Sequence, residues 1–266
     1  MKNKIIVSLI LLLCVSNKTY GDSLTVSGLT ISGLSINADI SVSAPKRIIP
    51  LGDSITRGVS GSTDSLGYRN NLQVSLGVGT YDFVGSQTDP NSDATYDVDH
   101  EGVGGETTAE IELRTQTALS TYLPTNNQNS SVLLIAGTND MLDSLATATA
   151  VDNVEDIIDL IHNQDSNITV YAALIPPNTN GAEDAKITTY NSALLTRLQT
   201  IQGVYDNIII VDLNAAFNND TFGICSTVAS CMNADGIHPN DTGYDNISRQ
   251  FYSCMTSSLN TNCNGN

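Results

Sequence analysis

Short, continuous apolar runs are the feature that most constrains the fold of this chain. The three clearest are Ile48–Leu51, Ser131–Ile135 and Ile168–Ile175, and each is followed by a polar loop. A strand with one solvated face alternates apolar and polar residues, whereas a strand covered on both faces is apolar throughout. The runs therefore predict a parallel sheet with helices on both faces.

Segments with helical character separate the predicted strands. Val151–His162 carries apolar residues at helical spacing. Another helix is expected to begin at Thr107 or Thr108, with Glu110 in its first turn. Alternating strands and helices predict βαβ units and a three-layer α/β/α domain of about five parallel strands. The other predicted elements are the strands Lys46–Leu51, Thr80–Val84 and Ile208–Val211, and the helices Tyr68–Leu76, Ala182–Gln202 and Thr242–Cys254.

The polar and acidic segment Thr88–Gly105 predicts a long loop, and long loops in compact domains are often functional. Its carboxylates raise the question of a calcium site, but their spacing does not fit an EF-hand loop. A solvated acidic loop is favoured, and neither a metal ion nor an organic cofactor is expected. The carboxylates are Asp89, Asp93, Asp97, Asp99 and Glu101.

Residues 1–21 have the pattern of an export signal. Two lysines precede the apolar run Ile5–Val15, and Thr19–Gly21 offers a cleavage site. The apolar run is too short to span a bilayer. Cys14 could carry a lipid anchor, but the bulky leucine before it favours simple export. The mature protein is therefore expected to be secreted, to the periplasm or the exterior.

Two further segments follow the signal. Residues 22–44 are rich in Ser, Thr and Gly and predict either an edge hairpin or a linker, and residues 45–266 form the predicted domain. The net charge of −17 argues against nucleic acid and anionic membranes as partners, since both would repel the chain. We expect a monomer whose partner is its substrate.

Four cysteines remain after the predicted cleavage, and an even number in an exported chain suggests disulfides. Three pairings are possible, and the pairing between sequence neighbours closes two short loops. A metal site is disfavoured because there is no C-x-x-C pair and no histidine at ligand spacing. The cysteines are Cys225, Cys231, Cys254 and Cys263, paired as 225–231 and 254–263 in the sequence-near arrangement.

The Gly-Asp-Ser sequence at 52–54 places a serine just past the end of the first strand. In α/β sheets, ligands bind in the crevice outside the carboxyl ends of the strands. A serine hydroxyl there can act as a nucleophile if a base, an orienting acid and oxyanion donors lie nearby.

The three histidines of the chain are the candidates for the base. His162 ends an amphipathic helix, where a structural role is favoured. His100 lies in the acidic loop and either lines a substrate cleft or is an ordinary exposed residue. His238 precedes the last helix, and the carboxylate of Asp235 can reach its imidazole across a tight turn. An Asx turn leading into a helix is the alternative explanation for Asp235.

Two positions could supply oxyanion donors. Gly105 lies just before a helix, where a backbone N–H can face an anion. Asn139 follows the strand Ser131–Ile135 and could direct its side-chain amide into the same crevice. Each also has an ordinary explanation, as a glycine at a helix start and an asparagine in a turn.

Taken together, four segments resemble the motif blocks of the SGNH (GDSL) hydrolase superfamily, and they occur in the family's order. They are Gly-Asp-Ser at 52–54, Gly105, Gly-Thr-Asn-Asp at 137–140 and Asp-Gly-Ile-His-Pro at 235–239. The resemblance implies a flavodoxin-like fold with a catalytic triad and a three-donor oxyanion hole. The implied triad is Ser54, His238 and Asp235, and the implied donors are the Ser54 and Gly105 backbone N–H groups and the Asn139 side chain.

Within the superfamily, residues 83–87 and 99–105 are similar to carbohydrate esterase family three, typified by acetylxylan esterases. Those enzymes usually carry an aromatic residue where this chain has Glu106. The resemblance implies a secreted serine esterase that removes acetyl groups from polysaccharide, and we expect Asp53 and His100 to contact the substrate. The alternatives are a lipolytic or aryl esterase of the same superfamily and a glycan-binding module without activity.

Overall fold

The computed structural model describes residues 29–31, 34–36, 46–89, 95–123, 130–257 and 262–263. The chain divides into two compact units, Met1–Ala44 and Pro45–Asn266. In the first unit, strands β1 (Leu29–Ile31) and β2 (Leu34–Ile36) pair antiparallel. The predicted export signal at residues 1–21 lies outside the described residues.

The second unit alternates strands and helices along the chain. Its strands are β3 (Lys46–Gly52), β4 (Tyr81–Phe83), β5 (Gln87–Thr88), β6 (Asp99–Gly102), β7 (Ser131–Ile135), β8 (Thr169–Leu174), β9 (Ile208–Asp212) and β10 (Asn262–Cys263). Its helices are α1 (Ser54–Arg57), α2 (Tyr68–Leu76), α3 (Thr108–Tyr122), α4 (Thr138–Leu142), α5 (Thr147–Gln164), α6 (Gly181–Ile201), α7 (Leu213–Asn218) and α8 (Asp241–Thr256), and a short 3-10 helix spans Val228–Cys231.

Within the described residues, the strands of the second unit form one eight-stranded sheet. Its order is β10-β9-β8-β7-β3-β6-β5, and β4 pairs with the first half of β3. Neighbouring strands are parallel except for β5 and β6. Because β3 has β7 on one side and β4 and β6 on the other, successive connections leave it in opposite directions. Such a switch point opens a crevice outside the carboxyl ends of the strands.

The α/β/α fold predicted from the sequence is confirmed. All five predicted strands are present, and β5, β6 and β10 extend the sheet. Helices α3, α5 and α6 pack side by side, and α2, α7 and α8 form a second group. Every residue of β7 is buried, as a strand covered on both faces requires. Helix α5 buries its apolar stripe of Val151, Val154, Ile157, Ile158 and Ile161.

The prediction of a continuous loop over Thr88–Gly105 is wrong for part of that segment. Asp99–Gly102 is strand β6, which pairs with the end of β3. Its acidic composition suggested solvent exposure, yet Glu101 is fully buried and accepts a hydrogen bond from Arg114 at 2.6 Å. Strand β6 could not be predicted from the local sequence, because Arg114, the ionic partner that allows Glu101 to be buried, lies on a later helix.

Both disulfides have the sequence-near pairing. The Cα atoms of Cys225 and Cys231 are 5.5 Å apart, and those of Cys254 and Cys263 are 5.4 Å apart. Both separations lie within the range of disulfide bridges. The first bridge precedes the segment containing residues 235–238, whereas the second joins α8 to the edge strand β10.

The described residues contain neither a membrane-spanning helix nor a cluster of metal ligands. Across the described ranges, no helix is both long and apolar enough to cross a bilayer. In the same ranges, no group of three or more His, Cys, Asp or Glu side chains is arranged to hold a metal ion. Asp93, one of the five carboxylates considered as calcium ligands in the sequence, lies outside those ranges.

Candidate active site

Ser54 is the first residue of α1, at the carboxyl end of β3. The Asp53 carboxylate caps this helix by accepting the Ile55 N–H at 2.9 Å. Gly52 allows the strand to pass close to β7, since a Cβ there would lie 2.1 Å from the Ile135 carbonyl oxygen. The first N–H groups of a helix have no intrahelical acceptor. Ser54 therefore presents both a hydroxyl and a backbone N–H in the crevice.

The side chains of Ser54, His238 and Asp235 form a continuous hydrogen-bonded chain. His238 Nε2 lies 2.8 Å from Ser54 Oγ, and His238 Nδ1 lies 2.7 Å from Asp235 Oδ2. The other carboxylate oxygen of Asp235 accepts the Ile237 and His238 N–H groups at 2.9 and 3.0 Å. This is the spacing that a serine nucleophile, a base and an orienting acid require.

The charge state of Asp235 suits that arrangement. Partial burial disfavours its ionised form, but hydrogen bonds from the His238 side chain and from the His238 and Ile237 N–H groups outweigh burial. As a result, the pKa of Asp235 lies below its ordinary value. An ionised Asp235 favours a proton on His238 Nδ1, which leaves Nε2 as an acceptor for the Ser54 hydroxyl.

The turn that carries Asp235 and His238 depends on a glycine. Gly236 has a φ of +72°, and a Cβ there would lie 2.0 Å from Thr179 Oγ1. The Thr179 N–H donates to the Gly236 carbonyl oxygen at 3.0 Å. The loop after β8 therefore packs directly against this turn and fixes its position.

The disulfide Cys225–Cys231 lies at the base of the same turn. The Cys231 carbonyl oxygen accepts the Asn240 N–H at 3.0 Å, and Asn233 donates its N–H to the His238 carbonyl oxygen at 2.7 Å. The Asn240 side chain in turn caps α8 through the Gly243 N–H at 3.1 Å. The bridge thus connects through one hydrogen bond to the segment that follows His238.

The predicted oxyanion donors Gly105 and Asn139 lie in the segments that follow β6 and β7. Gly105, with a φ of +86°, lies in the loop between β6 and α3. This loop passes beside the nucleophile, since a Cβ at Gly104 would lie 3.8 Å from Ser54 Cβ. Asn139, in the first turn of α4, donates from Nδ2 to the Glu106 carbonyl oxygen at 2.8 Å. Its amide nitrogen carries a second hydrogen that can serve an anion.

The structure corrects the substrate-contact role expected for Asp53, because its side chain is fully buried. Oδ1 caps α1, while Oδ2 makes no hydrogen bond of normal geometry within the described residues. Thr138 nevertheless interacts with Asp53 closely enough to favour its ionised form. Burial dominates and raises the pKa of Asp53 to about 6. We propose that Asp53 helps to position Ser54 by capping the helix that begins at Ser54.

His100 is likewise fully buried, which corrects its expected role as a lining of the substrate cleft. Its Nε2 lies 3.1 Å from Asp89 Oδ2, and its Nδ1 accepts the Gly102 N–H at 3.0 Å. Burial lowers the pKa of His100 to about 3, so the ring is neutral and Nε2 carries the proton. His162, the remaining histidine, lies at the end of α5 and stacks on Tyr205 with ring centroids 3.8 Å apart.

Sequence reasoning missed Arg69, a fully buried arginine beneath the nucleophile. Its Nη1 donates to the carbonyl oxygens of Thr56 and Arg57 at 2.5 and 2.9 Å, at the end of α1. A cation at the carboxyl end of a helix is stabilising. The available signal was an arginine between Tyr68 and Leu72, two apolar positions of α2 that are also fully buried.

A sheet of mostly parallel strands flanked by helices, with Ser54 at its switch point, is consistent with a hydrolase of the SGNH type. The chain belongs to the GDSL-like Lipase/Acylhydrolase family, which matches residues 51–245. The resemblance derived from the four motif segments is confirmed.

Known relatives include carbohydrate esterases. The chain is 27% identical over 257 residues to a multidomain esterase of Ruminococcus flavefaciens, covering 87% of this chain but only 31% of that relative. The solved family 3 carbohydrate esterase of Clostridium thermocellum has a TM-score of 0.64 and 27% identity, covering 79% of this chain and 95% of that one. Another, from Talaromyces cellulolyticus, has a TM-score of 0.64 and 22% identity, covering 78% and 94%, and shows likeness of fold alone.

Proposed function

We propose that this protein is a serine esterase that removes acetyl groups from carbohydrate through an acyl-enzyme intermediate. The observation that carries the proposal is the chain of two hydrogen bonds, 2.8 Å from His238 to Ser54 and 2.7 Å from His238 to Asp235. Membership of the acylhydrolase family supports the reaction class. The similarity to family 3 carbohydrate esterases supports the substrate class.

In the acylation step, Ser54 Oγ attacks the ester carbonyl carbon while His238 Nε2 accepts the hydroxyl proton. The carbonyl π electrons move to oxygen, and a tetrahedral oxyanion forms. When the intermediate collapses, His238 returns the proton to the leaving sugar oxygen as the C–O bond breaks. Asp235 stabilises the imidazolium throughout. Water then repeats the sequence on the acyl-enzyme and releases acetate, so every step uses groups of this chain and water alone.

The oxyanion is stabilised by three donors in this proposal. These are the backbone N–H groups of Ser54 and Gly105 and the amide of Asn139, which the Glu106 carbonyl oxygen orients from 2.8 Å. Removing one such donor typically lowers kcat by roughly a hundred- to a thousand-fold.

We also propose that the protein acts outside the cytoplasm. The signal-like pattern of residues 1–21 motivates this assignment. The disulfides Cys225–Cys231 and Cys254–Cys263 are consistent with an oxidising compartment. Detection of mature protein beginning near residue 22 in the medium or periplasm would test it; retention of residues 1–21 in the cytoplasm would contradict it.

The proposal is tested by measuring hydrolysis of p-nitrophenyl acetate and acetylated xylan by the wild type and Ser54→Ala. We expect Ser54→Ala to lower kcat by roughly 10⁵-fold or more. The matched control is Ser192→Ala on α6, where the hydroxyl only donates to the Thr188 carbonyl oxygen at 2.9 Å. Wild-type activity in Ser54→Ala would refute the assignment.

The alternative functions make different predictions in the same assays. A lipolytic enzyme would prefer octanoyl over acetyl esters, and a glycan-binding module would not react with a fluorophosphonate probe. Labelling of Ser54 together with a preference for acetyl esters supports the proposed activity over both.

A further inference from the structure

Arg114 connects three segments of the candidate site. It lies in the second turn of α3, and its side chain is 17% exposed. Its Nη1 donates to the carbonyl oxygen and to Oε2 of Glu101 at 2.8 and 2.6 Å. Its Nη2 donates to the Gly52 carbonyl oxygen at 3.2 Å and to Glu106 Oε2 at 2.5 Å. Its Nε lies 2.9 and 3.1 Å from the two oxygens of Glu106. All three guanidinium nitrogens are thus engaged.

Each acceptor of Arg114 lies in a segment that carries or leads to a proposed oxyanion donor. Gly52 ends β3 two residues before Ser54, and its carbonyl oxygen also accepts the Val103 N–H at 3.1 Å. Glu101 belongs to the strand that leads into the Gly105 loop. Glu106 directly follows Gly105, and its own carbonyl oxygen orients the Asn139 amide.

We propose that Arg114 is a positioning residue for the oxyanion hole. It fixes the Ser54 N–H, the Gly105 N–H and the Asn139 amide relative to one another, without touching the substrate. This inference rests on the proposed esterase function. Oxyanion donors act through preorganisation, and a displacement of about 1 Å can cost roughly a hundred-fold in rate.

The geometry requires arginine rather than any cation. The planar guanidinium fork reaches Glu101, Glu106 and Gly52 from one point, whereas a lysine ammonium offers a single charged nitrogen. Arg114→Lys therefore keeps the charge beside the fully buried Glu101 but loses the fixed geometry. That substitution separates positioning from simple charge neutralisation.

The experiment measures kcat and KM for p-nitrophenyl acetate in Arg114→Lys, Asn139→Ala and the double variant. We expect Arg114→Lys to lower kcat by roughly ten- to a hundred-fold with KM within about twofold of the wild type. Because both changes damage the same oxyanion hole, the double variant should lose less than the product of the two single losses.

Controls separate this role from stability. Arg197 on α6 also binds two carboxylates, Asp152 and Glu155, but it shares no partner with Arg114. Arg197→Lys should leave kcat unchanged. This should hold even if it lowers the melting temperature as much as Arg114→Lys does. If Arg114→Lys does not fold, Glu106→Gln keeps the Glu106 carbonyl and the Glu101 pair, and it should lower kcat severalfold.

Several outcomes would overturn the inference: an unchanged kcat in the folded variant, an effect on KM alone, or losses in the double variant that simply multiply. An unchanged kcat in Glu106→Gln would do the same if Arg114→Lys cannot be obtained. Failure of the proposed function is recognised separately, because Ser54→Ala would then retain activity regardless of Arg114.

Discussion

The candidate site joins two regions that are supported in different ways. Ser54 lies at the end of a central strand, and the side chains beneath it, Asp53 and Arg69, are fully buried. Asp235 and His238 lie on a surface turn, where their side chains are 39% and 17% exposed. One half of the site is thus an extension of the core, and the other is held by local contacts.

The difference is also electrostatic, and it appears in two aspartates. Burial raises the pKa of Asp53 to about 6. Hydrogen bonds from His238 and nearby N–H groups instead hold the pKa of Asp235 below its ordinary value despite partial burial. The contrast indicates that changes beneath Ser54 act mainly on folding stability, whereas changes in the turn act mainly on catalysis.

Of the changes that test this contrast, replacement of Asp235 is expected to have the largest effect on kcat. Asp235→Asn should lower kcat by roughly 10³- to 10⁴-fold, because an amide cannot stabilise the imidazolium and can hold the wrong tautomer of His238. Its melting temperature should change little, since the side chain is well exposed. Assays of p-nitrophenyl acetate hydrolysis together with thermal melts measure both.

The matched control is Asp159→Asn on α5, where the carboxylate accepts the Tyr205 hydroxyl at 2.8 Å, remote from Ser54. It should leave kcat unchanged. A loss below tenfold in Asp235→Asn would mean that Asp235 does not orient and stabilise His238 as proposed.

The parts of the fold and site that could be predicted are those whose signal is local in the sequence. The strands β3, β7, β8 and β9 were predictable because a doubly covered strand must be apolar, and apolar composition is visible locally. Ser54, Asn139 and the turn at 235–239 followed because parallel strands bring their carboxyl ends to one edge of the sheet.

Two residues of the predicted acidic loop, His100 and Glu101, have partners elsewhere in the chain. The sequence predicts substrate contacts for Asp53 and His100, but both side chains are fully buried. Asp89 lies 11 residues from His100, and Arg114 lies 13 residues from Glu101. Without the register of β6 against β3, nothing in the local sequence shows that these charges are paired and buried.

The second prediction concerns the pH dependence of folding. The pKa of Asp53 rises from 3.8 to about 6 on folding, so it stabilises fully below pH 3.8 and this contribution is lost as pH rises through about 6. The loss corresponds to about 3 kcal/mol for a fully buried group. Asp53→Asn retains a good helix cap and should be more stable than the wild type at pH 7 by up to that amount.

Urea unfolding at pH 4, 5.5 and 7 measures the difference between the two proteins. Asp99, whose pKa is also raised to about 6 by burial, titrates in both and cancels in the comparison. A difference in unfolding free energy that stays constant over this range would show that Asp53 is not the buried acid of the site.

The smallest expected effect is a difference in kcat between variants that lack one or the other disulfide. Both close short loops, with separations of 6 and 9 residues, so removing either should cost roughly 2–3 kcal/mol of stability. Within the described residues, the Cys225–Cys231 bridge is hydrogen-bonded to the segment that follows His238, through the Asn240 N–H at 3.0 Å from the Cys231 carbonyl oxygen. Replacing Cys225 and Cys231 by serine should therefore lower kcat severalfold, whereas replacing Cys254 and Cys263 should not.

The two double variants are compared at a temperature where both remain folded, so that a fall in kcat reports geometry rather than unfolding. Reduction of the wild type should likewise lower activity before near-UV circular dichroism is lost. Equal kcat in the two variants would place the support of the turn in Gly236 and its contact with Thr179 instead. The surface half of the site would then depend on backbone packing alone, without the covalent brace.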